Sequence, residues 1–142
     1  MIIDQLSVKM INRPGEMSVV SDLLGDENIN VKALSLSVHG PDAHVHLVVD
    51  DAKKAADMLR GRGYEVTERQ VIAVEAPDHP GGLNAILRPL KQAKINVEYL
   101  YPLIGKIKGN AVLIVGAEPI AEAITALQKH YITILDRELY GL

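Results

Sequence analysis

Two short loops hold the residue types best suited to chemistry. Asn12-Arg13-Pro14-Gly15 and Asp78-His79-Pro80-Gly81 each join a strand-like run to a helix-like run. Each is followed at the same distance by Ile-Asn-Val, at Ile29-Asn30-Val31 and Ile95-Asn96-Val97, and the copies lie 66 residues apart at every one of these positions. A helix start presents backbone N–H groups without intrahelical partners and the positive end of the helix dipole, which together attract a carboxylate or phosphate. Gly15 and Gly81 carry no Cβ to keep a ligand off the backbone, and Gly82 extends that opening in the second copy. Asp78 can accept hydrogen bonds from an ammonium group, and Asn12 places an amide at the equivalent position. Asn30 and Asn96 begin a second strand, which lies near the neighbouring unit if two sheets join edge to edge. Carboxylate capture, ammonium capture and an amide in one pocket amount to recognition of a free amino acid. Pro-Gly after Asn or Asp is also an ordinary turn and cap signal, and duplication copies structural features as faithfully as functional ones.

The elements around the loops follow from periodicity. Leu6, Val8 and Met10 alternate with Ser7 and Lys9, as in a half-buried strand. After the loop, Met17, Val20 and Leu24 fall on one helical face, and the helix ends near Gly25-Asp26-Glu27-Asn28. Alternation resumes from Val31 to Val38. His39-Gly40-Pro41-Asp42 then turns the chain into a return strand, Ala43 to Val49. Asp50-Asp51 can cap a second helix bearing Ala52, Ala55, Ala56 and Leu59, which Gly61 and Gly63 end, and Tyr64 to Thr67 makes a fourth strand. The pattern restarts with Ile72 and Val74. Leu83, Ile86, Leu87, Leu90 and Ala93 mark the third helix, in which Pro89 costs roughly 3 kcal/mol or introduces a kink. Val97 to Ile104 and Ala111 to Val115 form a hairpin with Gly105-Lys106-Ile107-Lys108-Gly109-Asn110 at its tip. Glu118-Pro119 opens the last helix, with Ile120, Ala123, Ile124 and Leu127 on its buried face, and Ile132 to Leu135 is the last strand. The offset between copies is 66 up to this hairpin and 68 after it, so two residues entered at a loop tip, where insertions cost least.

The expected architecture is α+β: two βαββαβ ferredoxin-like units over residues 1–69 and 70–142, each an antiparallel sheet with both helices on one face. Units of about 70 residues are marginal alone, so the two are expected to pack as an intramolecular pseudo-dimer. Exposed sheet edges further favour a homodimer.

Composition narrows the function. With 48% apolar residues the chain can build a core. The absence of Cys removes disulfides, thiolate metal sites and a cysteine nucleophile. Met1-Ile2-Ile3-Asp4 lacks the pattern of a signal peptide and no apolar run reaches the ~20 residues of a membrane span, so a cytoplasmic location is expected. A net charge of −3 with interspersed signs offers no basic patch for nucleic acid. No Ser-His-Asp arrangement and no Walker-type phosphate loop is recognisable, so no catalytic residues are assigned, although the fold also hosts small hydrolases. His44 and His46 share a strand face near His39, but without a carboxylate of fitting spacing they are read as an open sheet face or a dimer contact, not a metal site. Tyr99 and Tyr101 point together, opposite Leu100, and suit a subunit interface or a pocket wall. No metal or cofactor is expected.

At the repeated loops the chain resembles the ACT domain. The resemblance is carried by Asn12-Arg13-Pro14-Gly15-Glu16-Met17, Val20, Leu23-Leu24 and Ile29-Asn30-Val31. It recurs in Asp78-His79-Pro80-Gly81-Gly82-Leu83, Ile86, Leu90 and Ile95-Asn96-Val97. The run Asn96-Val97-Glu98-Tyr99-Leu100-Tyr101 is similar to stand-alone tandem ACT proteins of prokaryotes. The resemblance implies a non-catalytic regulatory module that binds amino acids between two ACT units, using the first loop of one and the second-strand start of the other. The matching positions are Asn12, Arg13, Pro14, Gly15, Glu16, Met17, Asn30 and Val31, with Asp78, His79, Pro80, Gly81, Gly82, Leu83, Asn96 and Val97. Serine-binding members carry a His where this chain has Met10 or Ala76, and the second copy has Asp78 for Asn. The apolar Met10, Met17, Ala76 and Leu83 lean the ligand toward branched-chain or aromatic amino acids, and the two sites are expected to differ. The resemblance is equally compatible with a ligand-independent subunit of an amino-acid metabolic enzyme.

Overall fold

The computed structural model describes residues 2–106 and 109–141; Ile107 and Lys108 of the expected hairpin tip lie outside the described residues. The chain divides into two compact units, Asp4–Arg69 and Gln70–Leu142 with Met1–Ile3. The first contains β1 (Ile3–Ile11), α1 (Glu16–Asp26), β2 (Val31–His39), β3 (Asp42–Val49) and α2 (Ala52–Gly61), and closes with the start of β4 (Glu65–Ala76). The second continues from β4 through α3 (Gly82–Gln92), β5 (Asn96–Pro102), β6 (Ala111–Glu118) and α4 (Ile120–Lys129) to β7 (Ile134–Leu135). Sheet order is β2-β3-β1-β4 in the first unit and β5-β6-β4-β7 in the second, so both have the antiparallel ferredoxin-like topology.

Both cores obey the expected periodicities. In the first unit Leu6, Val8 and Met10 of β1 and Val45, Leu47 and Val49 of β3 pack with Val20 and Leu24 of α1 and Ala55, Ala56 and Leu59 of α2. In the second, Ile72, Val74, Ile86, Leu90, Val115, Ala123 and Leu127 do the same. Full burial of each Val, Leu or Ile contributes about 1.5–3 kcal/mol, which is why the period-2 and period-3.6 stripes choose the helix-covered face. Asp51 caps α2 as expected, its carboxylate accepting from Lys54 N–H at 3.2 Å.

Several expectations are corrected. No Gly or Pro interrupts Glu65–Ala76, so the fourth strand of one unit and the first of the next are one twelve-residue strand rather than two. The helix expected to start at Glu118-Pro119 starts at Ile120, because Pro119 keeps an extended backbone and serves as the N-cap. Pro89 is accommodated: α3 runs through it to Gln92 with the ring buried, apolar contact that offsets part of the lost hydrogen bond. Beyond β7 a 3-10 turn at Arg137–Gly141, unmarked by any periodicity, buries Leu139. Among the described residues no helix is long and apolar enough to cross a membrane.

Candidate ligand-binding loops

The loops are built alike. β1 delivers Asn12 and β4 delivers Asp78 to the start of a helix, and the glycine before each helix is left-handed, with φ +87° at Gly15 and +85° at Gly81. A side chain is strained at such φ values, which gives both positions a backbone reason for glycine. A Cβ built at either would meet nothing within 4 Å, so the space outside the turn is open. Neither α1 nor α3 receives a hydrogen bond from a capping side chain. The first N–H of each helix turns back to its own loop, Glu16 to Arg13 C=O at 3.4 Å and Gly82 to His79 C=O at 2.9 Å, and the uncapped helix start beyond it is of the kind that attracts a small anion.

Gly82 has a packing reason to be glycine. It is buried, and a Cβ there would overlap the carbonyl of Pro77. Its bareness lets the loop fold back on itself, with Gly82 N–H donating to His79 C=O at 2.9 Å. The equivalent Glu16 keeps a side chain, which forms an ion pair with Arg13.

Each loop borders a cleft within its own unit, and the two clefts differ. The first holds about 60 Å³ between Met10, Asn12, Arg13, Glu16, Met17, Leu36 and Val38. The second holds about 600 Å³, with Ala76, Leu83, Ala111 and Leu113 as its apolar lining and Asp78, His79 and Pro80 at its rim. The first loop is tied to its hairpin by uncharged bonds: Asn12 Nδ2 donates to Gly40 C=O at 3.2 Å and Asn12 N–H to Pro41 C=O at 2.9 Å. The second is tied by an ion pair in which Lys106 Nζ donates to Asp78 Oδ2 at 2.7 Å. That bond and the charge of Lys106 hold the Asp78 carboxyl below its ordinary value of 3.8. Lys106 carries no motif, so only the folded hairpin reveals it.

Asn30-Val31 and Asn96-Val97 are not brought to the loops of their own units. β1 runs antiparallel to β3, pairing Ile11 with Asp42, while Val31 pairs with Val49 at the other end of the sheet. Asn30 N–H donates to Asp50 Oδ1 at 3.0 Å, and Asn96 stands opposite Glu118. Val31 and Val97 pack against the two cores. The register shift just after each of them, between Val31 and Ala33 and between Val97 and Tyr99, is repeated in both units.

The sheet faces away from the helices hold the remaining constellations. Ser7 Oγ and His46 Nδ1 lie 2.8 Å apart, Gln5 Nε2 is 3.3 Å from the same nitrogen, and the rings of His39 and His44 meet edge to face at 5.7 Å. Burial, with His44 and Arg69, lowers the His46 pKa. Among the described residues no group of three or more His, Asp or Glu side chains is placed to hold a metal ion. Tyr99 and Tyr101 stack with centroids 6.4 Å apart, Tyr99 lying where a Cβ on Gly116 would be. Tyr101 is buried, which drives its pKa up.

Fold and loops together define a tandem of ferredoxin-like units, each with a glycine-led helix start beside a cleft. The chain matches the ACT domain pair over residues 1–140, and it belongs to that family. Among solved structures it is similar to protein BT0572 from Bacteroides thetaiotaomicron, with 26% identity, TM-score 0.92 and coverage of 100% of this chain and 98% of that one. It shares its fold with the regulatory subunit of aspartate kinase from Thermus thermophilus, at 18% identity, TM-score 0.66 and coverage of 90% and 92%. The same subunit from Thermus flavus matches at 18% identity and TM-score 0.59, covering 92% and 95%. No match is found among curated proteins.

Proposed function

We propose that this chain is a non-catalytic regulatory protein of the cytoplasm that binds a free amino acid between ACT units. The loop of one unit would meet the second-strand start of another, in this chain or in a second copy. The observation that carries the reading is the pair of helix starts: among the described residues, α1 and α3 alone of the four helices are led by a left-handed glycine, and neither takes a side-chain cap as α2 does from Asp51. A ligand carboxylate would take the place of the missing caps, and Asn12 or Asp78 would receive the ammonium group. Branched-chain or aromatic amino acids fit the apolar Met17 and Leu83 beside the loops. Regulation follows if the ligand has different affinities for two arrangements of the units, since only a differential affinity shifts an equilibrium.

A thermal-shift screen against the twenty amino acids tests this. A ligand present at 100 times its dissociation constant and bound only by the native state stabilises by about 2.7 kcal/mol. Gly81→Val is expected to abolish the response while the circular-dichroism spectrum of a folded chain persists. A flat response in the unaltered protein would overturn the amino-acid reading.

A second reading, a ligand-independent subunit of an amino-acid metabolic enzyme, is favoured by one observation. Edge strand β2 leaves Leu34, Leu36 and Val38 exposed in a row, at 38%, 49% and 52%. Apolar rows on an unpaired edge invite association, with a second copy or with an enzyme. The aspartate kinase subunits of like fold make an amino-acid biosynthetic partner the natural one to test. Light scattering of Leu36→Asp against the unaltered chain reads the homodimer directly.

A further inference from the structure

The clefts at the two loops differ by substitutions at equivalent positions. Met10 and Met17 on the first correspond, 66 residues on, to Ala76 and Leu83 on the second. The loss of a methionine side chain accompanies the widening from about 60 to about 600 Å³. The smaller volume admits no more than a few waters, while the larger lies within the ~300–1,000 Å³ of small-molecule sites. Two further positions change together. Asn12 becomes Asp78, and Gly40, whose carbonyl Asn12 holds, becomes Lys106, whose ammonium holds Asp78. A neutral tie has become an ion pair at the mouth of the wider cleft.

That ion pair is a poor staple. Asp78 and Lys106 side chains are 59% and 57% exposed, and pairs so wet contribute little to stability. What the pair offers is one negative and one positive group at the rim of an apolar cleft. This is the complement of a zwitterion with an apolar side chain.

Resting on the amino-acid reading above, we infer that the loop half of the ligand site is supplied by the second-unit cleft and not the first, and that Lys106 is a binding residue there. The ligand is an α-amino acid with an aliphatic side chain. Its ammonium group bonds Asp78, its carboxylate bonds Lys106 beside the start of α3, and its side chain lies against Ala76, Leu83, Ala111 and Leu113. The tie between Asp78 and Lys106 is exchanged for two ligand bonds, so the charges stay balanced. The first cleft, filled by Met10 and Met17, does not bind the ligand.

Calorimetry of the full chain with each of the twenty L-amino acids, and with 3-methylbutylamine as the carboxylate-free counterpart of leucine, tests the inference. Leucine or another aliphatic amino acid is expected to bind. Lys106→Met is expected to weaken that binding about tenfold or more, the usual worth of a charge-assisted hydrogen bond. For leucine and 3-methylbutylamine, Lys106→Met also removes the preference for the amino acid over the amine, a result that a purely structural lysine would not produce. Ala76→Met, checked for folding by circular dichroism, is expected to abolish binding by filling the cleft as Met10 fills the first. Binding by the unaltered chain with equal affinity in Lys106→Met or in folded Ala76→Met overturns this inference and leaves the amino-acid reading intact. No binding of any amino acid to the unaltered chain overturns both.

Discussion

The two units share a topology and a loop, yet position for position they have diverged in opposite senses. At the loop the first unit is filled and tied to its hairpin by uncharged bonds, with Met10, Asn12 and Gly40, where the second is open and tied by an ion pair, with Ala76, Asp78 and Lys106. On the sheet face away from the helices the contrast reverses. Gln5, Ser7, Ser35, Ser37, His44 and His46 of the first unit correspond to Val71, Ala73, Tyr101, Leu103, Val112 and Ile114 of the second. All six of the latter are buried. Duplication preserved the backbone, because strand register and a left-handed glycine tolerate little change. The side chains that backbone carries were free to specialise once two copies existed.

Three changes would break or sharpen this contrast. Met10 is 5% exposed and packed in the first core, so Met10→Ala should cost about 3 kcal/mol and open the first cleft toward the size of the second. Denaturant unfolding measures the cost; a loss well under 1 kcal/mol would mean that Met10 does not set the cleft. Gly82→Ala should destabilise by roughly 2 kcal/mol, because its Cβ would overlap the Pro77 carbonyl. Glu16→Ala at the equivalent position should cost less than about 1 kcal/mol, because its partner Arg13 is 62% exposed and solvent screens the pair. Equal costs at the two positions would erase the distinction drawn between the loops.

The smallest effect concerns pH. His46 is held below its ordinary 6.5, first by burial and then by His44 and Arg69. A histidine whose folded pKa is lowered takes up its proton first in the unfolded chain. Its contribution is therefore undiminished above pH 6.5, declines as pH falls below it, and levels off once the folded imidazole is itself protonated. Melting temperatures in this window should fall with acidification, and less so in His46→Gln. Indistinguishable slopes would show that His46 is not the group responsible. Ile114, its counterpart in the second unit, can contribute no such dependence.

Much of the fold was legible in the chain. Strand and helix patterns are local, and a repeat at one spacing shows that a pattern is meant twice. The Asp51 cap and the βαββαβ order needed nothing more. The fused strand Glu65–Ala76 is not legible because the division between units at residues 69 and 70 falls inside a strand, with no turn residue to show that the strand runs through it. The packing reason for Gly82, the Pro77 carbonyl where a Cβ would stand, has no local signal in the chain. The turn at Arg137–Gly141 has too short a pattern to show a period.

The sequence by itself determined the duplication, the ACT-like topology and the two glycine-led helix starts, since each depends on residues near in the chain. Tertiary structure decided the rest. Only folding brings Lys106 to Asp78, sizes one cleft at ten times the other, and sends Asn30 and Asn96 to the far ends of their sheets. The physical reason is that clefts and ion pairs join residues tens of positions apart, and their dimensions follow from strand register and side-chain volume together.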